Sequence, residues 1–163
     1  MRLSDIIAET AIDTDLRAAD KIEAFAGLGR LLARALPETD PGRITSLLTD
    51  RESLASTGVG NGVAIPHGKM PGLDRIVGAL GLIPGGVPFD AVDGQPVTIF
   101  VALLAPVDAT TDHLKTLARV SLLLKDPGFR ERLLGATSAV EALEIIAQEE
   151  EKTGGSERGV GPG

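Results

Sequence analysis

Val97-Thr98-Ile99-Phe100-Val101-Ala102-Leu103-Leu104 is a nearly unbroken apolar run, opened by Pro96 and closed by Ala105-Pro106. A short run of this composition between turn formers reads as a well-buried strand. Arg75 to Leu82 reads the same way, and Pro84-Gly85-Gly86 and Asp93-Gly94 mark turns between the two. Upstream, Ile22, Phe25, Ala26, Leu28, Leu31, Leu32 and Ala35 recur at helical spacing until Pro37 ends the pattern. Asp40-Pro41 then supplies the cap and first residue of a second helix that buries Ile44, Leu47 and Leu48. Leu3 to Ala11 fits either a short helix or an edge segment. Downstream, Asp108 to Lys125 is expected to form a helix capped by Thr110 or Thr111, with Leu114, Leu117, Val120, Ser121 and Leu124 facing inward. Pro127-Gly128 introduces a short helix over Phe129 to Leu134. Ser138 to Gln148 is amphipathic through Val140, Leu143, Ile145 and Ile146. Helices before, between and after buried strands predict an α/β sandwich, one domain over residues 1–148 with helices on both faces of its sheet. Residues 149–163 are charged, Gly-rich and poor in large apolar groups; they are expected to be a disordered tail.

Composition narrows the function. The chain has 163 residues, of which 43% are hydrophobic, enough for one domain with a real core. Aromatic residues make up only 2%, with no Trp or Tyr, so stacking on bases is a poor fit. A net charge of −7 repels nucleic-acid phosphates and anionic membrane surfaces. Neither nucleic acid nor membrane insertion is therefore expected. The absence of cysteine excludes disulfides, thiol nucleophiles and Cys-based zinc sites. The sequence shows no leader pattern and no apolar segment of the ~20 residues needed to span a bilayer, so a cytoplasmic location is expected.

Ser56-Thr57-Gly58-Val59-Gly60-Asn61-Gly62-Val63-Ala64-Ile65-Pro66-His67-Gly68-Lys69 carries one of the two histidines through a backbone stripped of side-chain bulk. Gly60, Asn61, Gly62 and Gly68 are candidates for a nest in which main-chain N–H groups approach a phosphate. Pro66 biases Ile65 toward an extended conformation, so His67 is expected to leave a strand end on a stiff stalk. With a reference pKa of about 6.5, its imidazole offers a nucleophilic lone pair at neutral pH. Phosphoryl transfer needs mainly positioning and charge neutralisation, which a nest and a few donors supply. The ordinary alternative is a histidine on a surface loop.

Three stretches together resemble the mannitol/fructose class of IIA components of the bacterial phosphoenolpyruvate-dependent phosphotransferase system, and most nearly its nitrogen-regulatory members. They are the glycine-to-His67 segment, Phe89-Asp90-Ala91-Val92-Asp93-Gly94-Gln95-Pro96-Val97, and Asp112-His113-Leu114-Lys115-Thr116-Leu117. The resemblance implies a mixed sheet flanked by helices. It implies phosphorylation of His67, with one ring nitrogen held by a main-chain carbonyl and His113 beside the phosphorylated ring. It also brings Arg51 into the site, where a planar guanidinium can meet phosphate with two hydrogen bonds. The implied donor is HPr or its nitrogen-branch paralogue; the implied clients are a regulated transporter or sensor kinase, or a IIB component.

Independently of the resemblance, His113 near a helix start meets the positive end of the helix dipole, which opposes imidazole protonation. Arg51 in Asp50-Arg51-Glu52 otherwise reads as a solvated helix-end charge. Lys69 fits a water-facing ammonium, while Thr57 and Asn61 fit turn and capping roles. Met70, Leu73 and Val59 are candidates for an apolar docking rim, or for ordinary packing. Gly58-x-Gly60-x-Gly62 lacks the spacing of a dinucleotide fingerprint, and no Walker loop is present, so direct use of ATP is not expected. Neither histidine lies in a zinc-binding array, so neither metal nor cofactor is expected. A sugar-specific IIA donating to a IIB component, or a non-catalytic interaction module, are the alternatives to a regulatory carrier.

Overall fold

The computed structural model describes residues 2–160, with side chains to residue 153. Its elements in chain order are α1 (Leu3–Ile6), β1 (Ile7–Asp13), α2 (Lys21–Ala35), α3 (Pro41–Leu54), β2 (Gly58–Gly60), β3 (Val63–Ala64) and β4 (His67–Lys69). They continue with β5 (Val77–Val87), β6 (Val97–Ala105), α4 (Thr110–Leu123), α5 (Pro127–Leu134) and α6 (Ala139–Val160). The six strands form one mixed sheet in the order β1-β5-β6-β3-β2, with β4 also paired to β6. β5 and β6 are antiparallel, whereas β1 joins β5, and β3 and β4 join β6, in parallel.

The apolar run of β6 explains the two layers. Successive strand side chains point to opposite faces. Ile99, Val101 and Leu103 accordingly enter a cluster with Val120, Leu123, Phe129, Leu133, Ala142 and Ile146 from α4, α5 and α6. Phe100, Ala102 and Leu104 enter the opposite cluster with Phe25, Leu28, Leu32, Ile44 and Leu48 from α2 and α3. Each fully buried Leu, Ile or Phe contributes about 1.5–3 kcal/mol relative to exposure. A strand supplying both clusters therefore has no polar face, which is why its sequence shows no alternation.

Helix starts follow the expected chemistry. Asp20 caps α2 through Glu23 N, and Asp40 caps α3 through Arg43 N ahead of Pro41. Leu3 to Ala11 resolves into both expected forms, a one-turn helix and then an edge strand. Pro84-Gly85-Gly86 does not end its strand: β5 runs to Val87, with its pairing shifted between Leu82 and Val87.

Three expectations are corrected downstream. Leu117, Val120 and Leu124 face the core as expected, but the buried face of α4 also takes in His113, Thr116 and Leu123, while Leu114 is 60% exposed. Its N-cap is Ala109 without a side-chain bond, not Thr110 or Thr111. Order also continues beyond Gln148. The buried Glu150 carboxylate accepts from Leu3 N (2.6 Å), Ser4 N (2.9 Å) and Ser4 Oγ (3.0 Å). Glu149 pairs with Arg132 at 2.7 Å. Charged groups taken for a solvated tail thus carry hydrogen bonds that hold the middle of α6 to α1 and α5. The part of the expected tail at residues 161–163 lies outside the described residues.

Candidate functional site

β4 is only three residues long, yet its parallel pairing decides the site. His67 lies opposite Leu103, and Lys69 opposite Ala105. Because β6 leads through Pro106 to Ala109 into α4, this register sets His67 beside the first turns of α4, where His113 lies. The two imidazoles meet at a centroid separation of 5.3 Å and an interplanar angle of 60°. Lys69 Nζ donates to Thr110 Oγ1 at 2.7 Å, so its ammonium, though exposed, ties β4 to α4.

Half-buried His67 has one nitrogen assigned by chemistry. Nδ1 lies 2.8 Å from Ile65 O, and a carbonyl can only accept, so the proton is on Nδ1 and Nε2 carries the lone pair. Burial pushes the His67 pKa below its ordinary value, and Arg51 adds to the depression. The Ile65 hydrogen bond and the Glu52 charge oppose it. Arg51, in the last turn of α3, donates through Nη1 to Ala55 O at 3.0 Å.

His113 is 5% exposed, and its Nδ1 is buried without a hydrogen-bond partner. A proton there would be an orphaned donor, so the neutral ring holds its proton on Nε2. Burial, with the charges of His67 and Lys69, pushes its pKa down to about 4. The unfolded chain accepts this proton near the ordinary 6.5, so protons favour unfolding between pH 6.5 and about 4. Each unit is worth about 1.4 kcal/mol. The urea midpoint is expected to fall across that window, and His113→Asn to recover most of the loss. Parallel falls in both proteins would remove His113 as the cause.

The glycine nest is elsewhere. Asn61 (φ 58°) and Gly62 (φ 77°) form the tight turn between β2 and β3, for which Asn-Gly is the favoured pair. Val63 pairs with Ile99 and His67 with Leu103, which places the turn about 13 Å from His67 at the strand rise of about 3.3 Å per residue. Asn61 N already donates to Asp93 Oδ2 (2.9 Å), and Gly62 O accepts from Thr98 N and Ile99 N. Gly60, Asn61 and Gly62 therefore shape a hairpin clasped by a carboxylate, whereas Gly68 follows His67 within the site. Met70 is also removed from the rim: it is 4% exposed in the α2/α3 core, against which Leu73 packs half-buried. Val59 remains 46% exposed, on β2. The exposed apolar groups closest in sequence to the site are Leu54, Val107 and Leu114.

One buried charge was not singled out from the sequence. Glu52 makes a 2.6 Å ion pair with Lys21 Nζ and accepts from Thr57 N (2.9 Å) and Thr57 Oγ1 (2.5 Å). Burial works against its ionisation, but the Lys21 ammonium and the bonds from Thr57 and Ser56 outweigh it, holding its pKa low. A carboxylate in the last turn of a helix opposes the dipole, and that misplacement was the available signal. Among the described residues, no group of three or more His, Cys, Asp or Glu is gathered to hold a metal, and no helix is long and apolar enough to cross a membrane.

This constellation can be set beside known proteins. The family described as "Phosphoenolpyruvate-dependent sugar phosphotransferase system, EIIA 2" matches residues 5–149. The chain belongs to this family. Within the EIIA 2 family it is 36% identical over 147 residues to a nitrogen regulatory protein of Bradyrhizobium diazoefficiens, covering 90% of this chain and 95% of that relative. The crystal structure of the nitrogen regulatory protein IIA-Ntr from Neisseria meningitidis superposes with a TM-score of 0.82 at 35% identity, covering 88% of this chain and 98% of that one. The fructose-specific EIIABC component of Bacillus subtilis is 30% identical over 148 residues, covering 91% of this chain but only 23% of that longer protein. The mixed sheet with helices on both faces is the EIIA 2 fold.

Proposed function

We infer that the chain is a phosphohistidine carrier of the phosphotransferase system, of the nitrogen-regulatory type, with His67 as the phosphoacceptor. The observation that carries the role of His67 is its Nδ1 bond to Ile65 O, which leaves Nε2 as a bare nucleophile on a ring that lies against His113 and feels the charge of Arg51. Nε2 attacks the phosphorus of a phosphorylated HPr-type donor. The donor's N–P bond breaks with its electron pair returning to the donor nitrogen, and a new N–P bond forms on His67. In onward transfer, a separate exchange with a different partner, the N–P bond on His67 breaks with its electron pair returning to Nε2 while the client's acceptor atom forms the new bond to phosphorus. The neutral His113 donates its Nε2 proton to a phosphoryl oxygen, and Arg51 neutralises charge on the others.

Incubation with phosphoenolpyruvate, the first enzyme and HPr or its nitrogen-branch paralogue, followed by mapping of acid-labile phosphate, tests this reading. Phosphate on His67 supports it; an unmodified chain favours a non-catalytic module. His113→Ala is expected to retain incorporation on His67 while slowing onward transfer about a hundredfold, the scale of losing one oxyanion donor. Equal loss in both directions contradicts that division of labour. Regulated clients, a transporter or sensor kinase, would read the change in charge, since a phosphoryl group adds nearly two negative charges. Exposed Leu54, Val107 and Leu114, close in sequence to the site residues, are the apolar groups to test for docking of a carrier.

A second reading, donation to a sugar-class IIB component, draws on the likeness to the fructose-specific protein. Fast, stoichiometric transfer to a purified fructose-class IIB favours it over a purely regulatory role.

A further inference from the structure

We propose that Glu52, held by Lys21, is the positioning residue that fixes the His67 ring, acting through Thr57 and Ile65. The proposal rests on His67 being the phosphoacceptor and adds what keeps that ring in its working tautomer. The contacts are continuous. Lys21 Nζ lies 2.6 Å from Glu52 Oε1, and Glu52 Oε2 accepts from both N and Oγ1 of Thr57. Thr57 O accepts from Ile65 N at 3.0 Å, and Ile65 O accepts from His67 Nδ1 at 2.8 Å. One carboxylate at the end of α3 is thereby connected, through two residues, to the nitrogen opposite the nucleophile.

Each link has a physical reason to be stiff. The Glu52 side chain is 7% exposed, so the cost of desolvating its charge is offset only in this geometry. Lys21 also lies 4.3 Å from the centroid of the Phe89 ring, a cation–π contact that limits its freedom. Thr57 is buried, and without Glu52 its N–H would lack an acceptor. Ile65 is bound at both its N–H and its carbonyl, so a displaced Thr57 moves the acceptor on which the Nδ1 proton depends. Groups beyond the reacting atoms that orient a ligating histidine in this way set its tautomer and typically cost about 10–100-fold when lost. Arg51 and Glu52, adjacent in the chain, also exert opposite electrostatic effects on the ring.

The decisive experiment compares wild type with Glu52→Ala and Glu52→Gln in the full-length protein. Nitrogen-15 spectra of the imidazoles report the tautomer, and phosphoryl transfer from phosphorylated HPr reports rate and KM separately. In wild type, His67 is expected to be protonated on Nδ1 alone. In Glu52→Ala the Nε2-protonated form is expected to appear, with transfer about tenfold slower or more at unchanged KM for the donor. Glu52→Gln keeps an acceptor for Thr57 but loses the ion pair, so a smaller shift in the same direction is expected. Should Glu52→Ala not fold, as judged by circular dichroism, Glu52→Gln carries the test. A wild-type tautomer and rate in the folded variants overturn the proposal. Phosphate mapped away from His67 in wild type overturns the phosphoacceptor reading instead, while the spectra still report whether Glu52 positions the ring.

Discussion

His67→Gln is expected to take up no acid-labile phosphate, while melting close to the wild type. The ring sits at the start of β4, whose hold on β6 is made by main-chain groups that glutamine retains. The side chain is half-buried beside His113, and replacing it leaves no charge unpaired, so a stability change within about 1 kcal/mol is expected. What disappears is the only group in the constellation with an available lone pair on an outward nitrogen. Arg51 and Lys69 are cations, and His113 is sealed at Nδ1. Intact-mass measurement after incubation with phosphoenolpyruvate, the first enzyme and HPr checks this result. Phosphate appearing on the variant, at His113 above all, would move the acceptor and undo the assignment.

The second large effect falls on stability. The apolar character of Met70 invites a docking role, in which Met70→Glu would slow phosphorylation and spare the fold. Its burial in the core cluster that also holds Leu48, Phe100 and Leu104 predicts the reverse. An uncompensated buried charge costs about 3–5 kcal/mol, and in a chain of this size each kcal/mol lowers Tm by about 2–4 °C. Met70→Glu is therefore expected to melt about 10 °C lower or to fail to accumulate. Met70→Leu, which nearly conserves volume, is expected to cost less than about 1.5 kcal/mol and to transfer phosphate normally. A Met70→Glu protein with wild-type Tm and slowed phosphorylation would restore Met70 to the docking face.

These two residues mark where the sequence was readable. β6, α2 and the Asp40-Pro41 start of α3 were legible because local pattern and burial agree there. His67 and His113 were singled out through motifs, and the structure brings them together through β4. That three-residue strand has no signature of its own; its pairing with β6 is non-local, a matter of register and not of propensity. α4 was placed correctly along the chain, and Leu117, Val120 and Leu124 do face the core, but apolar spacing also selected Leu114, which is exposed. Its buried face begins with His113 and Thr116, and polar groups facing a site break the rule by which helix faces are found. The glycines gave a correct turn but a wrong purpose, since sequence cannot show that Asp93 already occupies the Asn61 amide. Glu149 and Glu150 failed for the same reason: composition counts a carboxylate as solvated until its partner is known.

The bond from Leu3 N to Glu150 spans 147 positions and joins α1 to α6. During synthesis, α1 therefore lacks this carboxylate until α6 has been made. Trimming the protein after residue 148, where amphipathic pattern ends, would strip an acceptor from two amides at the far terminus and a counter-charge from Arg132. α1 and α6 would come undone together.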